Sequence, residues 1–335
     1  MKAQIRRYTK VLISLLLGIL LLWLITRGQD IDLLIREFRN ANYQWIILAM
    51  ISAVISHFLR ALRWNMLIGA MGYQTQRVQT FMAVMTGYLA NMAIPRMGEI
   101  TRCVTLSRAS KTPFNALAGT VVAERVFDVI SILAIILITI LAQFTFLKSF
   151  LNNIFLLPLL KRGSEQWLAI TAIILVGVTL LITVVIFLHN KLKHASGAGF
   201  FYKLKRQLQG FKEGIKSIKK MRGKGWFILY TLLIWGLYYM TVYLCFFAID
   251  ATSHLTPIVG LTLLAVGSLG IMAPVPGGIG TYHFLTIITL SELYGIASEP
   301  ATSYAYITHA TQLIVNLSLG TISWFILAAQ HKKKL

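Results

Sequence analysis

The chain has 335 residues, of which 57% are hydrophobic and only 13% are charged, and its mean hydropathy is +0.71. Soluble domains carry about a quarter charged residues, so this composition excludes a water-soluble globule and predicts a protein that lies in lipid. The formal net charge is +21, and the two cysteines are too few for a disulfide scaffold.

Apolar stretches long enough for membrane helices follow one another along the chain. A crossing helix needs about 20 mostly apolar residues. The first stretch follows four basic residues and has no small-residue cleavage site, which predicts an uncleaved signal anchor. The sequence therefore predicts an all-α polytopic membrane protein with about six to eight transmembrane helices plus re-entrant segments broken by Pro and Gly. The candidate stretches are 10–26, 43–68, 78–95, 113–147, 166–189, 226–249, 257–273, 281–296 and 301–329.

The basic residues predict the orientation, since Lys and Arg concentrate in short cytoplasmic loops. The N-terminus has four, segment 190–225 has eleven and the C-terminus has three, so all three are predicted to be cytoplasmic. For all three to lie on the same side, the number of complete crossings between them must be even. This parity requires 78–95 to enter from the cytoplasm and turn back near Pro95. Segments 257–273 and 281–296 then form either an outer hairpin or two crossings. We expect a multi-pass protein of the cell (inner or cytoplasmic) membrane.

The two broken segments resemble each other. Trp45 lies fifty residues before Pro95, and Trp226 lies fifty residues before Pro276, yet parity gives the two helices opposite directions. This pattern predicts an inverted repeat, and paired broken segments are the best sequence pointer to a transport site. The predicted organisation is one integral membrane domain, 1–335, in which a first half, 10–189, has its break near 91–99, a basic cytoplasmic segment spans 190–225, and a second half, 226–329, has its break near 273–280.

Segment 200–222 predicts a basic amphipathic helix, because apolar residues recur every three or four positions between lysines and arginines. It suits an anionic cytoplasmic leaflet, a solvated loop helix or the docking of a cytoplasmic partner. Nucleic acid is not an expected partner, since no binding motif accompanies these charges.

A few charged residues fall within apolar stretches, where charge is costly and points to function. Glu124 and Asp128 are one helical turn apart and share a face, with Arg125 near enough to pair with Asp128. The alternative is an internal ion pair that locks helices together. Arg60, Arg63 and Trp64 fall within one turn and suit a phosphate, or else snorkel at the interface.

The breaks themselves add further candidates, because an interrupted helix in lipid is tolerated where it lines a polar cavity or packs on protein. The first break adds charged residues, and the second has glycines that permit close approach to a head group. His283 could relay protons or bind an anion, or simply make an interhelical hydrogen bond. The candidates at the breaks are Asn91, Pro95, Arg96, Gly98, Glu99, Arg102, Pro276, Gly277, Gly278, Gly280 and His283.

The ordered motifs resemble the lysylphosphatidylglycerol synthase transmembrane region family. The resemblance covers most of residues 10–329 and implies a polytopic protein that handles phospholipid or another lipid-linked substrate. The chain departs from the family in having His283 where Glu is frequent, and it has no aminoacyl-transferase domain, so lysine transfer is not expected. The motifs are Arg60-x-x-Arg63-Trp64, Asn91-x-x-x-Pro95-Arg96-x-Gly98-Glu99-x-x-Arg102, Glu124-Arg125-x-x-Asp128 and Pro276-Gly277-Gly278-x-Gly280.

The leading hypothesis is a lipid transporter or flippase. Its cavity would lie between the two breaks, where arginines would hold the head group of an anionic phospholipid. The alternatives are an accessory subunit of a cell-envelope lipid pathway and an intramembrane lipid-modifying enzyme with Glu99, Glu124 or Asp128 as acid or base. No catalytic set, metal site or cofactor is expected.

Overall fold

The computed structural model describes residues 31–144, 221 and 223–332, together with Leu16, Leu20, Trp23 and Arg27. The predicted crossings 10–26 and 166–189 and the amphipathic helix 200–222 lie outside the described residues, except for Leu16, Leu20, Trp23 and Met221. The described residues are helical without any strand, which confirms the all-α class. The helices are α1 (Ile31–Asn40), α2 (Tyr43–Ala70), α3 (Arg77–Ala93), α4 (Gly98–Ser110), α5 (Phe114–Ala142), α6 (Lys224–Leu244), α7 (Asp250–Ser253), α8 (Pro257–Met272), α9 (Thr281–Ile288) and α10 (Ser298–Lys332).

Four helices in the described ranges are long and apolar enough to cross a membrane: α2, α5, α6 with the 3₁₀ turn that continues it to Ala248, and α10. Each exceeds the roughly 20 residues that a bilayer core of about 30 Å requires. Much of their surface consists of exposed aliphatic and aromatic side chains, as lipid contact demands. The protein is therefore a polytopic membrane protein.

Helices α3 and α4 form a hairpin instead of one crossing helix. The chain leaves α3 at Ile94, which is extended, and turns through Pro95 and Arg96, whose φ of 63° is left-handed. With 17 residues, α3 is about 25 Å long, which is short of the hydrocarbon thickness. At the turn, Gly98 donates its backbone N–H to Asn91 Oδ1 at 2.6 Å, so the Asn91 side chain satisfies one free donor of α4.

The α3–α4 hairpin is packed backbone to backbone. A Cβ on Gly87 would lie 2.8 Å from the carbonyl oxygen of Gly98, and a Cβ on Gly98 would meet the Gly87 carbonyl and the Asn91 amide. Only glycine fits at either position, because the nearest atom that each Cβ would meet is a backbone carbonyl oxygen, which cannot move aside as a side-chain end can.

Helices α8 and α9 form a second hairpin. The α8 helix has 16 residues, about 24 Å, and the break after it turns through glycines whose φ angles are positive: 58° at Gly277, 77° at Gly278 and 85° at Gly280. A Cβ on Gly270 would lie 2.8 Å from Tyr282 Cα, so α9 lies directly against α8. Of the two arrangements open from the sequence, this geometry favours the hairpin.

From α2 and from α6 onward, and apart from the one-turn helix α7, the two described halves repeat one order of elements: long helix, short helix, break, short helix, long helix. The first long helices, α2 and α6, run antiparallel. Asn42 donates its backbone N–H to Ala248 O at 2.9 Å, and further along α2, Arg60 bonds Tyr238 and Arg63 bonds Thr231. Antiparallel pairing of corresponding helices is the pattern that an inverted repeat produces.

The equivalent short helices also pack in a reciprocal way. Each lies against the last long helix of the other half: α3 against α10, where Gly320 approaches Leu89, and α8 against α5, where Gln143 Nε2 donates to Thr262 Oγ1 at 2.6 Å. This exchange of partners brings the tips of the two hairpins together. The position of a Cβ on Gly277 lies 4.0 Å from Met92 Cα, next to the first break.

Candidate functional site: a buried arginine–carboxylate cluster

Helix α2 contributes two arginines and a tryptophan that lie inside the protein. The side chains of Arg60 and Arg63 are 5% and 0% exposed, and Trp64 is fully buried. Snorkelling toward the interface, one of the two sequence interpretations, is therefore wrong for both arginines. Buried guanidinium groups need carboxylates or other acceptors nearby, and these come from α5.

Helix α5 presents Glu124 and Asp128 to these arginines from one face, as the helical period predicts. Asp128 pairs with Arg63 at 2.6 Å and also with Arg60. Glu124 lies 2.7 Å from Arg60 and 3.5 Å from Arg63, and it is fully buried. The predicted Arg125–Asp128 pair is present on the same helix at 3.3 Å.

Helix α4 completes the network from the far side of the first break. Arg102 Nη1 lies 3.0 Å from Glu124 Oε2, and its guanidinium lies over the Trp64 ring, 4.7 Å from the centroid. Glu99 pairs with Arg125 at 3.1 Å. We call this set the arginine–carboxylate cluster: Arg60, Arg63, Glu99, Arg102, Glu124, Arg125 and Asp128.

The cluster carries an excess of positive charge. Its four arginines face three carboxylates, so among the described residues it holds a net charge of +1. Charges inside a membrane domain are costly unless neutralised. The internal ion pairs of the alternative interpretation are thus present, and each of the four arginines contacts a carboxylate, but the charges of the cluster sum to +1.

The excess charge borders a small cleft. It holds about 210 Å³ of unfilled space, its open mouth included, and lies between α2, α3, α4 and α5. The lining combines cluster residues with the glycines and polar side chains of the first hairpin: Arg60, Val84, Gly87, Tyr88, Asn91, Gly98, Glu99, Arg102 and Arg125. The lining therefore carries three arginines and one carboxylate.

Helix α6 supports the cluster with neutral side chains that sequence reasoning missed. Tyr238 accepts a hydrogen bond from Arg60 Nη1 at 3.0 Å, and Thr231 accepts one from Arg63 Nη1 at 3.2 Å. The two residues are two helical turns apart on one face of an apolar helix. That spacing of two polar side chains on an apolar helix is the signal that could have identified them, but a search for charged residues alone does not find it.

The residues of the second break lie apart from the cluster. His309 Nε2 donates to Gly277 O at 2.9 Å, and Gly280 N–H donates to His283 Nδ1 at 3.3 Å. The rings of His283 and His309 are 4.7 Å apart at nearly a right angle. Pro276 and Gly278 are buried in the same turn. The structure thus places these residues of the second break beside the end of α3, where the tips of the two hairpins meet.

Two residues of the first break, Pro95 and Arg96, are not part of the arginine–carboxylate cluster. Arg96 is exposed at the turn and forms no ion pair with any residue in the described ranges, unlike Arg102. Pro95 is partly buried beside it. Their part in binding stays a prediction.

Comparison with known proteins decides the family. Residues 11–320 match the sequence model of the lysylphosphatidylglycerol synthase TM region. The chain belongs to this family. It is 25% identical to a UPF0104 membrane protein of Methanocaldococcus jannaschii and 24% identical to one of Pyrococcus horikoshii, over 98% of each chain in both cases. No solved structure matches the chain.

In this member of the lysylphosphatidylglycerol synthase TM region family, the motifs that carried the resemblance come from four separate places along the chain. Three of them meet in the cluster: the α2 motif, the α4 end of the first-break motif and the α5 motif. The fourth, at Pro276–Gly278, instead meets the end of α3.

Proposed function

We propose that this protein moves a phospholipid or another lipid-linked substrate across the membrane, as a transporter or flippase. The observation that carries the proposal is the buried cluster with its excess positive charge beside a break in the helices. A purely structural ion pair is more favourable when it is neutral, because an uncompensated charge costs several kcal/mol in a medium of low polarity. In a site that binds an anion, by contrast, the excess positive charge is neutralised by the ligand and favours its binding.

The two hairpins support the same proposal. In secondary transporters, broken helices paired in two inverted halves bring free backbone groups near the membrane centre, and this chain has a broken hairpin in each half. The apolar surfaces of α2, α5, α6 and α10 leave room for acyl chains in the surrounding lipid. We further propose that the protein resides in the cytoplasmic membrane with both termini in the cytoplasm, for which the distribution of basic residues is the support.

The test is lipid translocation in liposomes that contain the purified protein and a fluorescent phosphatidylglycerol, with chemical quenching of the outer leaflet. We expect the wild type to expose the inner-leaflet pool to the quencher, and Glu124→Gln to be slower by tenfold or more, because three buried arginines lose a charged partner. Glu292→Gln, at an exposed carboxylate outside the cluster, is the matched control.

Equal rates in protein-free and wild-type liposomes would reject translocation of this lipid. Equal rates in the wild type and Glu124→Gln would remove the cluster from the mechanism. Mass analysis of the recovered lipid adds a check, since transport leaves the head group unchanged, whereas a lipid-modifying enzyme produces a new mass.

A further inference from the structure

Arg102 has an unused pair of hydrogen-bond donors. Its Nη1 pairs with Glu124, while its Nε and Nη2 are enclosed and have no hydrogen-bond partner among the described residues. These two nitrogens lie on one edge of the planar guanidinium group, so their N–H bonds point the same way. The side chain is 4% exposed, and the Trp64 ring fixes its plane. Such an edge matches two oxygens of one carboxylate or phosphate.

The charge of the cluster selects among anions. A net charge of +1 is balanced by one negative charge. A phosphodiester carries one, whereas a phosphomonoester carries about 1.5 to 2 near neutral pH. The second negative charge of a monoester would have no partner in the cluster, and Glu99, Glu124 and Asp128 would repel it.

A second unused atom lies in the same cleft. Glu99 Oε1 pairs with Arg125, but Glu99 Oε2 is enclosed without a partner among the described residues, although a third of the side chain is exposed. A carboxylate oxygen accepts hydrogen bonds only, so it calls for a donor on the ligand. Both Glu99 and Arg102 line the cleft, on the same helix and one turn apart.

We propose that this cleft binds the phosphodiester of a lipid whose head group ends in a hydrogen-bond donor, with two phosphate oxygens on the Nε and Nη2 edge of Arg102 and the donor on Glu99 Oε2. The inference rests on the proposed function only for the claim that the ligand is a lipid. The donor is a hydroxyl or an ammonium group, and the shared chemistry is a monoanionic phosphate followed by an N–H or O–H.

Binding of four phospholipids with matched acyl chains to the purified protein in detergent tests this selection, by quantitative native mass spectrometry. We expect phosphatidylglycerol to bind about tenfold more tightly than phosphatidylcholine, which lacks a donor, because a charge-assisted hydrogen bond is lost. Phosphatidylethanolamine has a donor but adds the positive charge of its ammonium group, so its affinity should lie between the two. Phosphatidic acid, a monoester, should also bind more weakly. Inorganic phosphate at millimolar concentration should not displace phosphatidylglycerol, and displacement by it would assign the site to free phosphate.

Two variants assign the preference to the named atoms. Arg102→Lys keeps the charge beside Glu124 but removes the two-donor edge, and it should bind phosphatidylglycerol about tenfold more weakly. Arg108→Lys, at an exposed arginine of the same helix, should bind like the wild type. Glu99→Gln should reduce the preference for phosphatidylethanolamine over phosphatidylcholine. Thermal unfolding of each variant tests whether it is folded, and the affinity of folded Arg102→Lys and the preference of folded Glu99→Gln decide the outcome.

Equal affinity for all four lipids, an unchanged affinity for phosphatidylglycerol in folded Arg102→Lys, or an unchanged preference in folded Glu99→Gln, would overturn the inference. The proposed function is tested by a different result. Selective binding without translocation would leave the site in place and reject transport, whereas translocation without head-group preference would retain transport and reject the site.

Discussion

Asp128 shows how much of the cluster depends on one side chain. Its two carboxylate oxygens face Arg60, Arg63 and Arg125, which come from two helices. Glu124, one turn earlier, faces Arg60 and Arg63 as well and adds Arg102 from a third helix. The two acids together hold α2, α4 and α5 at fixed distances around the cleft, so the same residues position the site and stabilise the fold.

At this scale we predict that Asp128→Asn lowers the free energy of unfolding by about 3–5 kcal/mol, because it removes one of the two carboxylates that neutralise the buried Arg60 and Arg63. Thermal and denaturant unfolding in detergent, followed by tryptophan fluorescence, measures the change. Asp250→Asn removes an exposed carboxylate and is expected to change stability by less than about 0.5 kcal/mol. A similar loss in both variants would mean that the Asp128 pairs contribute little.

The residues of the cluster were largely predictable from the sequence, and their partners only in part. Glu124 and Asp128 had to share a face because the helical period is 3.6 residues, and charge within an apolar stretch marked both. Pairing with Arg60 and Arg63, more than sixty residues away, depends on the tertiary packing of α2 against α5. Thr231 and Tyr238 are uncharged and belong to the other half, so nothing local marked them as partners.

The first hairpin is the element on which the cleft depends. Its two helices approach so closely at Gly87 and Gly98 that Arg102 and Glu99, one turn of α4 or less beyond, face the same space as Asn91. Pro95 and Gly98 predicted an interruption, and helix α3 does end at Ala93. The left-handed backbone of Arg96 and the contact between two glycine backbones were not predictable, because they follow from the three-dimensional fit of α4 on α3.

We predict that Gly98→Ala destabilises the protein by about 1–3 kcal/mol and weakens lipid binding, because the new methyl group meets the Gly87 carbonyl and the Asn91 amide. Gly119→Ala on α5 is the control, since a Cβ there has nothing within 4 Å, and alanine favours a helix. Unfolding midpoints of the two variants in the same detergent provide the comparison. An unchanged midpoint for Gly98→Ala would mean that the hairpin is more loosely packed than described.

For the whole molecule, the central feature is the antiparallel relation of the two halves. Trp45 and Trp226 each stand at the third position of the first long helix in their half. The equal spacing from tryptophan to proline therefore reflects the same arrangement of helix and break in the two halves. The sequence predicted this repeat through the parity of charges, but the exchange of partners, α3 with α10 and α8 with α5, required the packed structure.

This relation predicts which side of the membrane each connection faces. A cysteine in place of Gln74, before the first hairpin, should react with a membrane-impermeant maleimide only in inside-out vesicles. A cysteine in place of Ser253, before the second, should react only in intact cells. Both positions are exposed, whereas the natural Cys103 and Cys245 are buried and free, so background labelling should be low. Labelling of both from one side would contradict the inverted arrangement.

The contact of Gly277 with the end of α3 has a mechanical consequence. Each hairpin is supported at its tip by the other, and on the proposed orientation their open ends face opposite compartments. A displacement at the end of α3 would therefore reach Gly277, whose carbonyl oxygen accepts the hydrogen bond of His309, the ring that packs against His283. On that orientation, the place where the second break packs against the end of α3 couples the two hairpins, and with them the two faces of the membrane.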